Sequence, residues 1–396
     1  MPALSFLDAR SAVLRETRAG RVPPAIETVP LHACSGRVLA GDVLADRDYL
    51  PFNRSARDGF AVRAGDIPGR VRLIGEVRAG ATFESVAGPG EAVEIMTGAP
   101  VPKGADAVVM VEHCRRHEDG FISTERALES GANISPLGAE AKAREIVLAE
   151  GTRIDYTAVA WLAATGHSEV RVFRRPRVAI LPTGDEIVDV AERPAPHQIR
   201  NSNAWSLAAQ VERAGGTPLV LPIARDTKED TRRLVEKGLA ADLLLLSGGV
   251  SAGKYDVVEP ALAELGAEFF FDRVLIQPGQ PLVFGRAGGT FFFGLPGNPA
   301  STMVTFELFG RAALEVLSGA SEAPLPLTLA RLTRPFRHRV GLTRFLPALV
   351  SCTEVTPIDW KGSGDVPSLC RANAFLVADA DRAEYAQGDT IPVLLK

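Results

Sequence analysis

The acidic residues Asp185, Glu186, Asp226 and Asp256 each follow an apolar run closely. Asp185 and Glu186 come after Arg177–Leu181 through Pro182-Thr183-Gly184. Asp226 lies in Ala224-Arg225-Asp226-Thr227 after Pro218–Pro222. Asp256 closes a segment that begins with Ser247, directly after the leucines Leu243–Leu246. Asp242 stands at the base of that leucine run. Carboxylates crowded together repel and cannot all ionise cheaply. A hard divalent cation with oxygen ligands resolves the crowding, and Mg2+ is usual where phosphates are handled. The same segments carry Gly184, Gly248, Gly249 and Gly297. Glycine admits positive φ and lets a ligand approach the backbone. A strand, a glycine loop and a helix in that order aim free N–H groups at an anion. These residues alone predict a Mg2+-dependent enzyme acting on a phosphorylated small molecule. Neither G-x-x-x-x-G-K-[ST] nor G-x-G-x-x-G occurs, which excludes a P-loop NTPase and a plain dinucleotide dehydrogenase.

The elements that would hold these residues are legible in the periodicity. Leu243–Leu246 reads as a strand buried on both faces, with Val257, Val258, Leu262 and Leu265 starting a helix. Asn203–Ala214, Lys228–Leu239 and Ala300 to about Leu317 read as helices. Strands are predicted at Arg177–Leu181, Pro218–Pro222, Glu268–Val274, Leu282–Gly285 and Thr290–Gly294. Such alternation means a doubly wound, mostly parallel sheet with helices on both faces. Ligands bind such sheets outside the carboxyl ends of the strands. That brings Thr183–Glu186, Asp226-Thr227, Ser247–Asp256 and Pro296–Ser301 to one edge. Each loop also has a plainer reading. Asp226, Asp256 and Asn298 (with Pro299 at N1) suit helix caps, as do Ser202 and Asn203.

Flanking this region, residues 61–125 read as all-β, with short runs and Gly/Pro turns. Residues 1–20 predict a helix with Phe6, Leu7, Ala9, Val13 and Leu14 on one face. From 321 onward the helices stop, and strands are expected at Leu327–Leu332, Phe345–Val350, Phe375–Ala378 and Thr390–Leu394, with Lys361–Gly364 as a glycine loop. Asp58, in a polar island before Gly59, is either a turn residue or a carboxylate presented at a surface. Thr97 belongs to a turn or a rim loop.

The chain has 396 residues, enough for several domains. Its net charge of −4 disfavours a general nucleic-acid binder. The 4 cysteines form no C-x-x-C, so buried free thiols are expected. The N-terminus lacks a secretory h-region and no apolar stretch reaches membrane-spanning length, so a cytoplasmic protein without membrane contact is expected.

Six stretches then match one family in order: PFNRSARDGFAV (51–62), IMTGAPVPKGADAVVMVE (95–112), ILPTGDEIV (180–188), IRNSNAWSL (199–207), LSGGVSAGKYD (246–256) and IQPGQPLVFG…FFFGLPGNPAS (276–301). Together they resemble the molybdopterin molybdenumtransferase family, MoeA in bacteria and the gephyrin E-domain in animals. The resemblance implies insertion of molybdate into adenylylated molybdopterin, with Mg2+-dependent release of AMP and molybdenum cofactor. It implies a molybdopterin adenylyltransferase as donor, a molybdoenzyme or carrier as acceptor, and an elongated homodimer whose subunits share each active site. The implied architecture is multidomain α/β plus β. A linking domain is built from 1–45 and 131–172, an inserted β domain from 46–130, the molybdopterin-binding α/β domain from 173–320, and a C-terminal β-barrel-like domain from 321–396.

Residue by residue, the resemblance places Asp58 at the active site from the partner subunit and matches Thr97 to the threonine of the family's MTGAPVP. Asp185, Glu186, Asp226 and Asp242 match the family's acids and are the expected metal ligands. Thr183, Gly184, Ser247, Gly248, Gly249 and Ser251 line the expected substrate floor, and Asp256 and Lys254 join Asp58, Asp185, Glu186 and Asp226 as the expected catalytic residues. Pro296, Gly297, Asn298 and Ser301 belong to the LPGNP loop, and Arg344 and Ser363 face the cleft. The chain departs from the family at Glu259, where a lysine is usual, leaving Lys254 as the loop's cation. It departs again at Ser135-Pro136 and Ala139-Glu140. A tungstate-specific or divergent paralogue and a non-catalytic molybdopterin-binding scaffold are the alternatives. An adenylyltransferase shares the SGG-type domain but lacks the flanking β domains.

Overall fold

The computed structural model describes residues 2–249 and 257–396. Two units make up the chain. One comprises 1–41, 150–155 and 169–396, and the other 42–149 and 156–168.

The first unit is built on a six-stranded sheet in the order Thr217–Val220, Arg177–Pro182, Leu243–Ser247, Thr290–Leu295, Pro281–Ala287, Glu268–Arg273. The first four strands run parallel, and the last two are an antiparallel extension. Successive side chains of a strand face opposite ways, so the leucine run feeds two cores. Leu243 and Leu245 pack with Ala204, Leu207 and Val211 of the helix Asn203–Arg213. Leu244 and Leu246 pack with Leu234 and Val235 of Lys228–Gly238 and with Val258 and Leu262 of Val258–Glu264. All four leucines are 0% exposed. Burial at roughly 25 cal/mol per Å2 makes this strand the sheet's anchor.

The helix Phe6–Gly20 joins the first of these cores, with Phe6 edge-on to Phe309 and Phe345. Leu7 does not share that face and is exposed. Pro299–Thr305, a π-helical turn Phe306–Gly310 and Arg311–Leu317 follow one another as helix over the range expected from Ala300.

In the same unit, Thr343–Ser351, Glu354–Pro357, Leu327–Leu332, Thr390–Leu395 and Ala374–Ala378 close into a five-stranded barrel. The strand Glu354–Pro357 was missing from the sequence reading. A six-residue helix, Val366–Arg371, also interrupts the expected all-strand region; Asp365 caps it by accepting from the Ser368 N–H.

The second unit holds a six-stranded sheet in the order Ala107–Met110, Gly59–Val62, Glu91–Ile95, Gly69–Val77, Phe121–Thr124, Arg115–Arg116. Both faces are covered. Phe60, Val62 and Val109 pack on one, and Ala61, Val93 and Val108 on the other. The helix Tyr156–Ala164 belongs to this unit.

No helix among the described residues is long and apolar enough to cross a membrane. All four cysteines are free, but only Cys34 is buried; Cys352 and Cys370 are exposed. The general expectation of buried thiols is corrected to that extent.

Candidate functional site

The order of strands reverses between Arg177–Pro182 and Leu243–Ser247, because the chain leaves the first for one side and returns on the other. A crevice opens at the carboxyl ends of strands at such a point. Hydrogen bonds tie the loops together there. Thr183 N–H donates to Ser247 O (3.1 Å), Gly184 N–H to Ala224 O (3.1 Å) and Gly248 N–H to Leu295 O (3.2 Å). Gly248 and Gly249 have φ of 97° and 65°. A Cβ on Gly248 would stand 2.9 Å from Thr183 O, so only glycine fits the crossing.

The acids arrange themselves in a specific way. Asp226 N–H donates to Asp185 Oδ1 at 3.2 Å, and Asp185 N–H to Asp226 Oδ2 at 3.3 Å. Arg225 Nη1 donates to Asp185 O at 3.4 Å. Asp226 is not the helix cap; Thr227 fills that role by accepting the Asp230 N–H. Its carboxylate is therefore held at the loop rather than spent on the helix. Among the described residues no group of three Asp, Glu, His or Cys side chains gathers as a metal cage. A carboxylate pair still suits Mg2+, which binds through one or two carboxylates and completes its shell with waters and phosphate oxygens.

Beside the pair lies a cavity of about 310 Å3. Thr183, Ser247 and Gly248 line its floor, and Gly297, Asn298 and Pro299 one wall. Asn298 starts its helix without a side-chain cap bond, with Pro299 at N1. Glu186 also lines the cavity.

The remaining wall was not foreseen. It comprises Ile187, Ile199, Arg200, Asn201, Ser202 and Asn203. Two short parallel strands, Ile187–Val188 and Ile199–Arg200, carry it. Neither Ser202 nor Asn203 caps the following helix through its side chain, as had been expected. Asn201 does so instead, its Oδ1 accepting the Ala204 N–H (3.1 Å). That frees Asn203, whose Nδ2 donates to Ser247 Oγ (3.0 Å) and Gly297 O (2.7 Å) and so joins two loops. The Asn-Ser-Asn run before a helix is the available signal, although by residue type it predicts only a cap.

Asp242 is not part of this site. It lies at the opposite, amino end of its strand, where both carboxylate oxygens accept from Arg174 Nη2 at 3.0 Å and Oδ2 accepts the Arg177 N–H at 2.6 Å. Its expected role as a metal ligand is withdrawn, since five strand residues at about 3.3 Å each separate it from the loops. Ser301 is also displaced. It is buried in the first helical turn, with its carbonyl accepting from Thr305 Oγ1. Thr302 holds the loop instead, its Oγ1 donating to Pro296 O (2.5 Å) and Asn298 O (3.1 Å). Ser251, Lys254 and Asp256 lie outside the described residues.

Ser363 does not line the cavity; its carbonyl accepts the Ala300 N–H at 2.9 Å, which ties its loop to the first turn of the helix Pro299–Thr305. Arg344 is the second residue of its barrel strand, opposite Gln277 and Ala378, and its buried Nε has no hydrogen-bond partner among the described residues. Glu259 and Asp272 face each other closely enough that burial and Asp272 both push the Glu259 carboxyl up.

In the second unit, Asp58 and Thr97 come together. Asp58 Oδ1 accepts both the Thr97 N–H (2.6 Å) and Thr97 Oγ1 (2.8 Å). These bonds hold its pKa below the usual carboxylate range. Gly59 follows because a Cβ there would stand 2.0 Å from Val109 O.

Three family models match the chain. The MoeA N-terminal region (domain I and II) covers residues 4–166, a probable molybdopterin binding domain 179–316, and the MoeA C-terminal region (domain IV) 329–396. A molybdopterin molybdenumtransferase of Bacillus subtilis (strain 168) is 38% identical over 385 residues, 93% of this chain and 89% of the relative. One from Staphylococcus aureus (strain Mu50) is 32% identical over 98% of this chain and 94% of its own. The crystal structure of a molybdopterin biosynthesis MoeA protein from Pyrococcus horikoshii OT3 matches with a TM-score of 0.83 and 28% identity, covering 100% of both chains. The chain, with its α/β crevice and barrel, is a member of the MoeA family of enzymes.

Proposed function

We propose that the chain acts in molybdenum cofactor biosynthesis as a molybdopterin molybdenumtransferase, taking adenylylated molybdopterin and molybdate and releasing AMP and the loaded cofactor. The observation that carries this reading is the Asp185–Asp226 pair at the switch-point crevice, adjoining a cavity floored by Gly248. Asp185 and Asp226 would hold Mg2+, which when bound neutralises negative charge on the phosphoanhydride. Thr183, Ser247 and the Gly248 backbone shape the floor on which the substrate lies. Asn203 keeps the Ser247 and Gly297 loops at a fixed separation, so the groups that meet the substrate need not reorganise. Glu186 keeps the mouth of the cavity polar.

The fuller reading follows the family: a cytoplasmic homodimer in which Asp58 and Thr97 of one subunit complete the site of the other. An adenylyltransferase supplies the substrate, and a molybdoenzyme or carrier accepts the product. The four-domain division at 45, 130, 172 and 320 belongs to the same reading.

AMP release from adenylylated molybdopterin, with molybdate and Mg2+, tests it. The wild type is expected to turn over, and the Asp185→Ala/Asp226→Ala double variant to lose at least ~100-fold in rate. Release by the double variant at the wild-type rate would overturn the assignment.

A further inference from the structure

Arg200 and Glu186 are the only charged side chains lining the cavity among the described residues. Arg200 is held from two sides. Its strand pairs Val188 with Arg200, and the Asn201 N–H donates to Val188 O at 2.9 Å. Its Nε donates to Glu192 O at 3.0 Å. No carboxylate pairs with it among the described residues, and its two terminal amines donate to no protein acceptor there. A guanidinium fixed through Nε keeps its planar fork for a bidentate oxyanion, which suits a phosphate group.

Gly297, on another wall, is independent support. A Cβ there would have only Gly248 Cα near it, at 3.7 Å, which is ordinary contact. Nor does Gly297 have positive φ. The fold does not require glycine at this position, so the missing side chain serves to leave cavity space open.

We infer that Arg200 binds a phosphate group of the ligand, with the bare Gly297 backbone leaving room for it. This rests on the proposed function for the ligand's identity, but not for its charge. A phosphate ester entering a cavity that contains Glu186 needs a compensating cation, and among the described residues Arg200 is the cation that lines it.

The test is calorimetric titration of AMP, and separately of inorganic pyrophosphate, into the full-length protein. Wild type, Arg200→Gln, Arg200→Lys and Arg193→Gln are compared. Arg193 is an exposed neighbour on the same connection and controls for long-range charge. Arg200→Gln is expected to weaken binding by about tenfold or more, in line with a lost charged hydrogen bond. Arg200→Lys should keep part of the affinity, and Arg193→Gln should stay within about twofold, as a screened surface charge. Unfolding midpoints within about 2 °C of wild type are expected for Arg200→Gln, as for a surface change. Failure of the wild type to bind either probe overturns the inference, as does equal binding by Arg200→Gln. The turnover reading fails separately. If wild type binds AMP through Arg200 yet never releases AMP from the adenylylated substrate, only the proposed function falls.

Discussion

Asp185 and Asp226 each accept the other's backbone N–H, at 3.2 and 3.3 Å. The reciprocity locks two loops from neighbouring strands into one unit and turns both carboxylates to the same edge. Residues that share such contacts respond non-additively to mutation. Asp185→Asn and Asp226→Asn should each depress kcat/KM and raise the Mg2+ concentration for half-maximal rate. The double variant should lose much less than the product of the two single losses. Steady-state rates across a Mg2+ series check this, and strictly multiplicative losses would show the two acids acting independently.

Two glycines of the same crevice should behave oppositely. Gly248→Ala forces a Cβ to 2.9 Å from a backbone oxygen at a φ of 97°. It should destabilise by about 1–3 kcal/mol. Gly297→Ala meets only ordinary contact. Reducing the freedom of the unfolded chain should leave it neutral or up to about 1 kcal/mol more stable. Its cost should fall on KM instead. Urea melts and KM values for both variants separate a glycine the fold needs from one the cavity needs.

Asp242 should prove structural. Its two carboxylate oxygens share Arg174 Nη2 as donor, and Oδ2 also accepts the Arg177 N–H, at the end of the sheet away from the cavity. Asp242→Ala leaves the Arg177 donor without this partner, which should cost about 1–3 kcal/mol. The Mg2+ dependence of turnover should stay as in wild type. A raised Mg2+ requirement with unchanged stability would return Asp242 to the metal.

The sequence signals that succeeded were periodic, and those that failed depended on distant partners. The Leu243–Leu246 run identifies a strand buried on both faces because four consecutive apolar residues leave no solvent face. The described parts of the loops, Thr183–Glu186, Asp226, Ser247-Gly248 and Gly297–Pro299, meet because alternating strands and helices dictate which strand ends meet. Asn203 was missed because its partners, Ser247 and Gly297, lie 44 and 94 positions away. Ser301 was misplaced because helical phase, not chemical type, decides which hydroxyl reaches the preceding loop, and it is Thr302 that meets the Pro296 and Asn298 carbonyls. Glu354–Pro357 and Val366–Arg371 are too short for a period to declare itself; tertiary pairing and a single cap define them.

The Asp58–Thr97 contact predicts a pH signature. Hydrogen bonds to the ionised form lower a carboxyl pKa. Asp58 therefore contributes stability above its unfolded pKa and loses it as pH falls through the lower folded value. Thr97→Val removes the hydroxyl donor and keeps the N–H, so the Asp58 pKa should rise part of the way to its ordinary value. Carbon-detected NMR titration of the Asp58 carboxyl in both proteins is the measurement. An unchanged titration would mean that the backbone N–H alone sets it.

Glu259 should act in the reverse sense. Burial is the larger cause of its raised pKa, and the nearby Asp272 adds to it. An acid whose folded pKa is raised binds more protons folded than unfolded, so stability falls as pH rises from its unfolded to its folded value. Above that window the charged form is a standing penalty. Glu259→Gln removes the charge at similar volume and should raise the unfolding midpoint at pH 7, with no gain near pH 4. Glu259→Lys should gain less than Glu259→Gln, because its ammonium meets Asp272 favourably but carries the burial penalty that the carboxylate carried. Thermal melts of the three proteins at both pH values decide it. A pH-independent change in Glu259→Gln would point to packing, and no change would mean that the carboxylate is fully relieved by its surroundings.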